Sequence, residues 1–381
     1  MPSELGLYIH LPFCASRCAY CDFHAMVYDH KLAKPLLQSM LKHLARLPDL
    51  FPDKRPLSSI YLGGGTPGML PSSLLSNLLA AINKTYLIEK NAEISLEANP
   101  DTLSLGKLRA LTNAGFNRLS MGVQSFNPQS LAVLGRGHKP GHIVKAVNWA
   151  RQAGISNLSL DIIYALPNQS IAMAENDLKE LLLLAPEHVS LYQLTLSPHT
   201  PLGRQYKPGL PPMPGDNQVD AMEDSLYAIC ELNNLKRYEI SNFSTKPAYE
   251  CRHNLSTWQG GDYLALGPGA HGHMAGQRWA NYYDLPTYIN AWGKDGPGGY
   301  EFLDVLTPAQ RAGELIMLGL RTLPGVDLNQ ASRLLNQPAG QYYAQALDQL
   351  LAQNWAVISD NYLKPTTLGL KMADSAALPF L

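Results

Sequence analysis

The sequence predicts an α/β protein, a partial (β/α)6 barrel followed by a C-terminal helical, winged-helix-like domain. Short apolar segments rich in β-forming residues alternate with helical patterns through the first 235 residues. Six such units are too few for an eight-stranded barrel, so we expect an open parallel sheet. After residue 306 the pattern changes to three helices and a hairpin, which predicts a separate domain.

Each unit pairs one strand with one following helix. The predicted strands are Leu5–His10, Ser59–Leu62, Glu93–Glu97, Arg118–Gln124, Asn157–Ile163 and His188–Leu194. The predicted helices are Lys31–Arg46, Pro71–Tyr86, Ser104–Ala114, Gly141–Gln152, Ile171–Leu184 and Asp216–Asn233. In parallel α/β folds, functional groups gather at the carboxyl ends of the strands. The polar motifs of this chain are therefore expected at one edge of the sheet.

We divide the chain into a core domain (residues 1–235), a connecting region (236–306) and a C-terminal domain (307–381). The last is predicted to contain helices Ala309–Thr322, Leu328–Asn336 and Gln341–Asn354, then strands Ala356–Ser359 and Tyr362–Lys364. Winged helices often bind DNA, but five basic and five acidic residues balance here. Because a DNA-binding face is basic, we expect a lid or docking surface and no nucleic-acid partner.

Composition places the chain among globular proteins. Its 381 residues are 46% hydrophobic and carry a formal net charge of −1, which excludes gross disorder and a general attraction to nucleic acid or anionic membranes. The N-terminal residues lack a signal-like pattern, and no run approaches the ~18 apolar residues that span a bilayer. We expect a reducing, cytoplasmic location, with peripheral membrane contact left open.

Three of the five cysteines, Cys14, Cys18 and Cys21, follow the first predicted strand in the spacing CxxxCxxC. Thiolates this close in sequence can reach neighbouring irons of one iron–sulfur cluster, and three of them leave one iron of a [4Fe–4S] cluster open. The alternatives are a zinc site completed by His10 or His24, or plain buried cysteines.

Polar groups also follow the later strands. A glycine-rich run, residues 63–67, follows the second strand and can bring the backbone close to a ligand. Glu97 ends the third strand, Gln124 the fourth, and Asp161 lies on the fifth. Carboxylates among apolar strand residues are costly unless paired, so these groups are interpreted as a ring around one ligand, although each alone could be structural. Arg136, in the loop after the fourth strand, could pair with a ligand carboxylate.

These motifs resemble a known family. The cysteine spacing, with Tyr20 before the third cysteine, resembles that of radical S-adenosylmethionine (SAM) proteins, which have partial barrels. The runs 8–14, 63–67, 122–127 and 161–167 are similar to the HemN/HemW family of oxygen-independent coproporphyrinogen III oxidases and haem chaperones. The resemblance implies a [4Fe–4S] cluster on Cys14, Cys18 and Cys21. It implies SAM binding by Tyr8, Tyr20, Gly64, Gly65, Thr66, Glu97, Gln124, Arg136 and Asp161.

Two departures favour the haem chaperones. The oxidases carry a further cysteine two positions after the third ligand, where this chain has Phe23, and an extension before the motif. The resemblance then implies a protein that binds haem and passes it to acceptor haem proteins, with membrane-associated respiratory enzymes among the candidates. The alternative function is that of the oxidase, which decarboxylates coproporphyrinogen by radical chemistry. The acceptor, SAM cleavage in turnover and the oligomeric state are left open.

The connecting region contains the predicted haem-binding segment. The chaperones show His-Asn-x-x-Tyr-Trp here, and this chain has His253 and Trp258 but Thr257 in place of the tyrosine. The resemblance assigns haem binding to His253. An ordinary structural histidine is the alternative, and Cys251, His271 and His273 are rival iron ligands.

Overall fold

The structure, a computed structural model, describes residues 4–293 and 295–381. In chain order the strands are β1 Leu5–Leu11, β2 Phe13–Cys14, β3 Met26–Val27, β4 Leu57–Gly64, β5 Ile88–Ala98, β6 Arg118–Gln124, β7 Asn157–Tyr164, β8 His188–Gln193, β9 Lys236–Arg237, β10 Asn242–Ser244, β11 Asp262–Leu266, β12 His271–Met274, β13 Gln277–Ala280, β14 Phe302–Val305, β15 Val326–Asp327, β16 Ala356–Ser359 and β17 Tyr362–Pro365.

The helices connect these strands and cover the sheet. They are α1 His30–Leu50, α2 Ser72–Thr85, α3 Leu105–Ala114, α4 Pro128–Leu134, α5 Pro140–Gln152, α6 Ile171–Leu182, α7 Pro201–Gln205, α8 Asp216–Leu232, α9 Arg252–Trp258, α10 Leu285–Ala291, α11 Pro308–Gly319, α12 Leu328–Leu335, α13 Ala339–Tyr342, α14 Ala344–Ala352, α15 Thr367–Lys371 and α16 Ala373–Ala377. Short 3₁₀ turns lie at Pro67–Met69, Pro100–Thr102, Pro247–Tyr249 and Leu378–Phe380.

The six predicted strands are confirmed as neighbours in one parallel sheet. They follow the order β1-β4-β5-β6-β7-β8, and each adjacent pair is parallel. Helices lie between consecutive strands, as regular β/α alternation requires. The partial barrel is thus present, and the carboxyl ends of its six strands share one edge.

The sheet is wider than the sequence predicted. In the described part of the chain it has twelve strands, because β11 pairs with β1 in parallel and β12, β13 and β14 continue the sheet in antiparallel fashion. At the other edge β10 pairs with β8, and β9 pairs with β10. The connecting region of the sequence analysis therefore builds both edges of the sheet.

The two faces of the parallel sheet differ in chemistry. Alternate residues of a strand point to opposite faces. On β1, Leu5, Leu7 and Ile9 lie in the apolar core under the helices, whereas Tyr8 and His10 face the barrel interior. The interior also holds buried serines, namely Ser59, Ser95, Ser120, Ser159 and Ser190. Buried polar groups need partners, so this face is arranged by hydrogen bonds.

Helix α9 closes the amino-terminal end of the barrel. Glu93, on β5, accepts hydrogen bonds from the backbone N–H groups of Arg252 (3.1 Å) and His253 (3.5 Å), at the start of the helix. One Glu93 oxygen lies 3.7 Å from Nε of Arg118. Both side chains are buried, and a carboxylate in such a place is stable only because a helix N-terminus and a cation satisfy it.

The C-terminal domain follows the predicted order with three corrections. The prediction of one helix over Gln341–Asn354 is wrong, since α13 ends at Tyr342 and α14 begins at Ala344. Two short helices that were not predicted, α15 and α16, follow the hairpin. The predicted hairpin is confirmed, with Asp360 and Asn361 both at positive φ as a type I′ turn requires, and β15 adds a third strand.

The C-terminal domain packs below the barrel, against α9. The guanidinium of Arg321 lies 5.4 Å from the ring centroid of Trp258, and Arg278 on β13 pairs with Glu314 on α11 at 2.6 Å. Across residues 4–293 and 295–381, no helix combines the length and the apolarity needed to cross a membrane.

Candidate functional site

The three cysteines lie on one closed loop at the carboxyl end of β1. We define the three-cysteine loop as residues 13–28. Its two ends meet because β2 and β3 pair in parallel, with Phe13 opposite Met26 and Cys14 opposite Val27. The backbone N–H of Met26 also donates to the carbonyl of Pro12 at 2.7 Å. A loop closed in this way holds its thiols on one side of the barrel mouth.

The glycine-rich run packs directly against this loop. The backbone N–H groups of Gly65 and Thr66 donate to the carbonyls of Leu11 (2.9 Å) and Phe13 (2.7 Å). A Cβ on Gly65 would lie 2.6 Å from the Phe13 carbonyl oxygen, so no other residue fits there. The glycines thus allow a close backbone contact, in addition to any contact with a ligand.

The far side of the loop is fixed by two helices. The N–H of Ala19 donates to the carbonyl of Leu134 at the end of α4 (2.9 Å), and the Ala19 carbonyl accepts from the N–H of Leu202 in α7 (2.8 Å). Segments more than a hundred residues away in sequence therefore set the position of Cys18 and Cys21.

All three thiols are free and half-buried. Nη1 of Arg136 donates to Sγ of Cys18, and Oγ1 of Thr66 donates to Sγ of Cys14, each at 3.5 Å. Burial raises the pKa of the Cys14 and Cys21 thiols. Hydrogen bonds to sulfur stabilise thiolate ligands of iron–sulfur clusters and tune the cluster potential.

The donor set fits an iron–sulfur cluster better than zinc. Of the two proposed fourth zinc ligands, His10 is engaged elsewhere: it donates from Nε2 to the carbonyl of His24 (2.7 Å) and accepts at Nδ1 from Tyr8 (3.1 Å). The ring of His24 stacks on that of His10, and its buried Nδ1 has no hydrogen-bond partner among the described residues. Within the described residues, no three His, Cys, Asp or Glu side chains are placed to hold a single metal ion. Three soft thiolates with N–H and O–H donors at sulfur are the chemistry of a cluster site.

Arg136 joins the cysteines to the strand ends. Its Nη2 donates to Oδ1 of Asn99 and to the carbonyl of Gly122, both at 2.6 Å. Asn99 donates in turn from Nδ2 to Oγ1 of Thr66 at 3.3 Å. The guanidinium is thus held beside Cys18, where a carboxylate bound near the cysteines could reach it.

Glu97 lies at the same mouth, bound to two groups of β4. Tyr61 donates its hydroxyl to Oε1 (2.7 Å) and Gly64 donates its N–H to Oε2 (3.2 Å). Burial, with the negative charge of Asp161 as a smaller contribution, raises the pKa of Glu97 to about 7. A carboxylate with this pKa is well suited to accept a hydrogen bond from a cationic or hydroxyl group of a ligand.

Asp161 and Gln124 complete the polar ring. Asp161 accepts from Ser120 (3.3 Å) and Ser159 (3.3 Å), and burial raises its pKa. Gln124 ends β6 with φ of 66°, at a break in the register with β7. Its Oε1 is buried and accepts no hydrogen bond from the described residues, which leaves an acceptor for a ligand.

The two tyrosines occupy different places. Tyr20 is half-buried on the three-cysteine loop, next to the charge of Arg136, and burial raises its pKa. Tyr8 lies deeper in the barrel, where its hydroxyl bonds His10. Thus Tyr20 lies at the mouth with the cysteines, and Tyr8 lies one layer below.

His253 is not brought to this mouth. Its Nδ1 lies 3.1 Å from Oγ of Ser59, and its ring stacks on Tyr8 (centroids 6.1 Å apart) and Tyr61 (5.4 Å) at the amino-terminal end of the barrel. Burial lowers its pKa to about 4. Thr257, which stands in place of the motif tyrosine, donates its hydroxyl to the His253 carbonyl at 3.0 Å. These contacts give His253 a packing role, and haem ligation by it stays a prediction.

Some residues of the site escaped the sequence analysis. Asn99 links Arg136 to Thr66, Tyr61 donates to Glu97, and Ser120 donates to Asp161. Asn99 could have been found, because it follows the third strand directly, as a carboxyl-end group should. Tyr61 could have been found by alternation, since it shares a face with Gly63.

Comparison with known proteins defines the class. A family model for the Radical SAM superfamily matches residues 8–181, and one for the HemN C-terminal domain matches residues 306–371. The solved structure of coproporphyrinogen III oxidase (HemN) from Escherichia coli superposes with a TM-score of 0.86 over 100% of this chain and 90% of that chain, at 23% identity, which shows a common fold. The fold is that of a radical SAM protein with a HemN-type C-terminal domain.

Curated relatives narrow this class. The heme chaperone HemW of Lactococcus lactis is 30% identical over 98% of this chain and 96% of its own length, and that of Haemophilus influenzae is 38% identical over 71% of this chain and 70% of its own. A Danio rerio protein, radical S-adenosyl methionine domain-containing protein 1, mitochondrial, is 32% identical over 98% of this chain and 86% of its own. The chain belongs to the HemW family.

The raised pKa of Glu97 predicts a pH-dependent stability. Its pKa rises on folding from an ordinary 4.5 to about 7, so folding takes up a proton between these values. The stability present below pH 4.5 is therefore lost as pH rises through 7, by ~3 kcal/mol at most at 1.36 kcal/mol per pKa unit. We expect urea unfolding of the wild-type apoprotein to show this loss of stability with rising pH. Glu97→Gln should lack it, because the glutamine does not ionise.

The matched control is Glu231→Gln, since Glu231 is exposed on α8. This variant should keep the wild-type pH dependence. Parallel stability profiles for wild type and Glu97→Gln between pH 4.5 and 7.5 would show that Glu97 is ionised like an exposed carboxylate.

Proposed function

We propose that this chain is a haem chaperone, which binds haem and transfers it to acceptor haem proteins, and that it carries a [4Fe–4S] cluster with SAM at the open iron. The observation that carries the proposal is the similarity, over nearly the full length of both chains, to a protein named as a heme chaperone. The arrangement of three free thiols at the barrel mouth supports the cofactor part.

Cys14, Cys18 and Cys21 would hold the cluster, with Arg136 and Thr66 donating to two of the sulfurs. When bound, the cluster and SAM supply one-electron chemistry. The chain itself would bind and orient SAM. Arg136 pairs with the methionine carboxylate, because its guanidinium already lies beside Cys18.

The other polar groups of the ring would hold the rest of SAM. Glu97 and the backbone of Gly64 and Gly65 face the amino group, and Asp161 accepts from the ribose hydroxyls. Thr66 and Gln124 line the same mouth, and the buried Oε1 of Gln124 is an acceptor for SAM. Tyr20 would contact SAM from the three-cysteine loop. Tyr8 lies below the mouth, where its hydroxyl bonds His10.

Position 23 supports a chaperone over an oxidase. Phe23 stands where the resemblance places a further cysteine in the oxidases, and its side chain is 67% exposed, two residues after Cys21. The acceptors we propose are haem proteins, with membrane-associated respiratory enzymes among them, reached by peripheral contact from the cytoplasm.

The functional test compares haem transfer with the decarboxylation of coproporphyrinogen. Anaerobically reconstituted protein should bind haem stoichiometrically and pass it, chemically unaltered, to an apo haem protein, and should form no decarboxylated product from coproporphyrinogen. Absorption spectra and porphyrin chromatography measure the two outcomes. Stoichiometric decarboxylation without haem retention would replace the chaperone proposal with the oxidase.

The cluster assignment predicts a loss in Cys18→Ala. With one of three thiolates missing, the variant should lose most of its iron and sulfide after anaerobic reconstitution. Cys230→Ala is the control, since Cys230 is buried on α8, away from the loop. Iron and sulfide equal to wild type in Cys18→Ala, or zinc in their place, would contradict the assignment.

The SAM assignment predicts weaker binding by Arg136→Ala. Losing a charged, hydrogen-bonded contact commonly costs ~2–5 kcal/mol, so SAM affinity measured by calorimetry on cluster-loaded protein should fall at least tenfold. Arg109→Ala removes an exposed arginine on α3 and should leave affinity unchanged. Equal affinity in wild type and Arg136→Ala would exclude a carboxylate contact.

A further inference from the structure

The barrel interior continues onto the sheet extension built by β11 to β14. Residues opposite each other in neighbouring strands share a face. Tyr8 is opposite Ala265 on β11, Tyr263 is opposite His273 on β12, and the same register pairs His271 with Ala280. Ala280 in turn is opposite Phe302 on β14. A row of His271, Ala280 and Phe302 therefore lies on the face that carries Tyr8 and His10.

This row lies at the level of the barrel mouth. Strand β11 runs parallel to β1, so it ends at the mouth, and β12, being antiparallel to β11, begins there. His271 is the first residue of β12, Ala280 the last of β13, and Phe302 the first of β14. Ala280, between them, is fully buried, and the rings of His271 and Phe302 meet across it at 5.7 Å, so these two rings form the exposed surface of the row.

His271 is exposed within this row and has aromatic neighbours. Its Nε2 lies 2.9 Å from the hydroxyl of Tyr283, and its ring makes edge contacts with Tyr283 (centroids 6.0 Å) and Phe302 (5.7 Å). Tyr283 and Phe302 are themselves 43% and 38% exposed. An imidazole beside exposed rings combines the ligand and the apolar contacts that a haem face needs.

The rival ligands lack this access. His253 and His273 are 6% and 7% exposed, and Cys251 is 1% exposed and packs against Glu93 at 3.6 Å from its sulfur. Nδ1 of His273 lies 3.3 Å from the carbonyl of Gly261. Iron could reach these groups only after a rearrangement of the barrel floor or the sheet.

A series of ring contacts joins His271 to the three-cysteine loop. Tyr283 lies edge-on to His24 (5.2 Å), and His24, which belongs to that loop, stacks on His10 (5.3 Å). Phe23 precedes His24 and is exposed. A porphyrin on the His271 row would thus border the loop that holds the cysteines.

We propose that His271 is the axial ligand of the haem iron, with the rings of Tyr283 and Phe302 against the porphyrin. This inference rests on the proposed function. Ligation requires the tautomer in which Nε2 carries the lone pair, so that Tyr283 donates to it in the free protein. On binding, that hydrogen bond breaks and the Nε2 lone pair forms the iron–nitrogen bond, with no net release of protons or electrons. The ring is available in its neutral form because burial lowers the pKa of His271.

The test titrates haem into the full-length, cluster-loaded chain and records Soret and electron paramagnetic resonance spectra. His271→Ala should change both spectra and weaken haem binding about tenfold or more. Added imidazole should restore the wild-type spectrum in His271→Gly, where it can occupy the vacated space. His253→Gln and the exposed-histidine control His142→Ala should keep the wild-type spectrum.

Two further variants separate ligation from packing. Phe302→Ser should weaken haem binding without altering the ligand spectrum. Tyr283→Phe should keep the wild-type spectrum and bind haem at least as tightly, because the Tyr283–His271 hydrogen bond that it removes is already broken in the haem complex. A wild-type spectrum in His271→Ala, with a changed one in His253→Gln, would overturn the proposal and leave the chaperone function intact. If wild type itself binds no stoichiometric haem, the proposed function fails instead.

Discussion

The contact between two backbones, residues 11–13 at the end of β1 and residues 65–66 after β4, determines most of the site. Two hydrogen bonds join them, and the absence of a side chain on Gly65 allows the approach. Through this contact the three-cysteine loop is fixed to the sheet, Thr66 reaches Cys14, and Asn99 reaches Thr66 and Arg136. The thiols are therefore held by the parallel register of β1 and β4, and any change in that register would separate them from their hydrogen-bond donors.

The barrel interior has a polar mouth and a closed floor. At the mouth, burial raises the pKa of Glu97 and Asp161, and the buried amide oxygen of Gln124 has no hydrogen-bond partner among the described residues, which leaves it able to bind a ligand. At the floor, Glu93 forms an ion pair with Arg118 and accepts hydrogen bonds from the start of α9, and His253 fills the space under Tyr8 and Tyr61. Buried polar groups that bind one another stabilise a fold, and those with an unused acceptor are the ones a ligand can use.

Much of the fold and part of the site were predictable. The six strands and their helices, the hairpin after Asn354 and the cysteine loop follow from periodicity and local spacing, and the carboxyl-end rule brought Glu97, Gln124 and Asp161 to one edge. The strands of residues 236–306 were missed because each has only two to five residues and no regular alternation. The break at Tyr343 was missed because the apolar pattern continues across it.

The sequence by itself determined the chemistry available to this protein: three clustered thiols, strand-end carboxylates, a glycine run and a family signature, each recognised from its own short stretch of the chain. Only the tertiary structure decided which distant residues meet. Arg136 beside Cys18, Asn99 between Arg136 and Thr66, and His253 in the floor each depend on the pairing of strands far apart in sequence. His271 reaches the barrel mouth because β11, which precedes its strand, pairs with β1. The physical reason is that side-chain periodicity fixes which face a residue occupies, whereas strand order and register fix its neighbours.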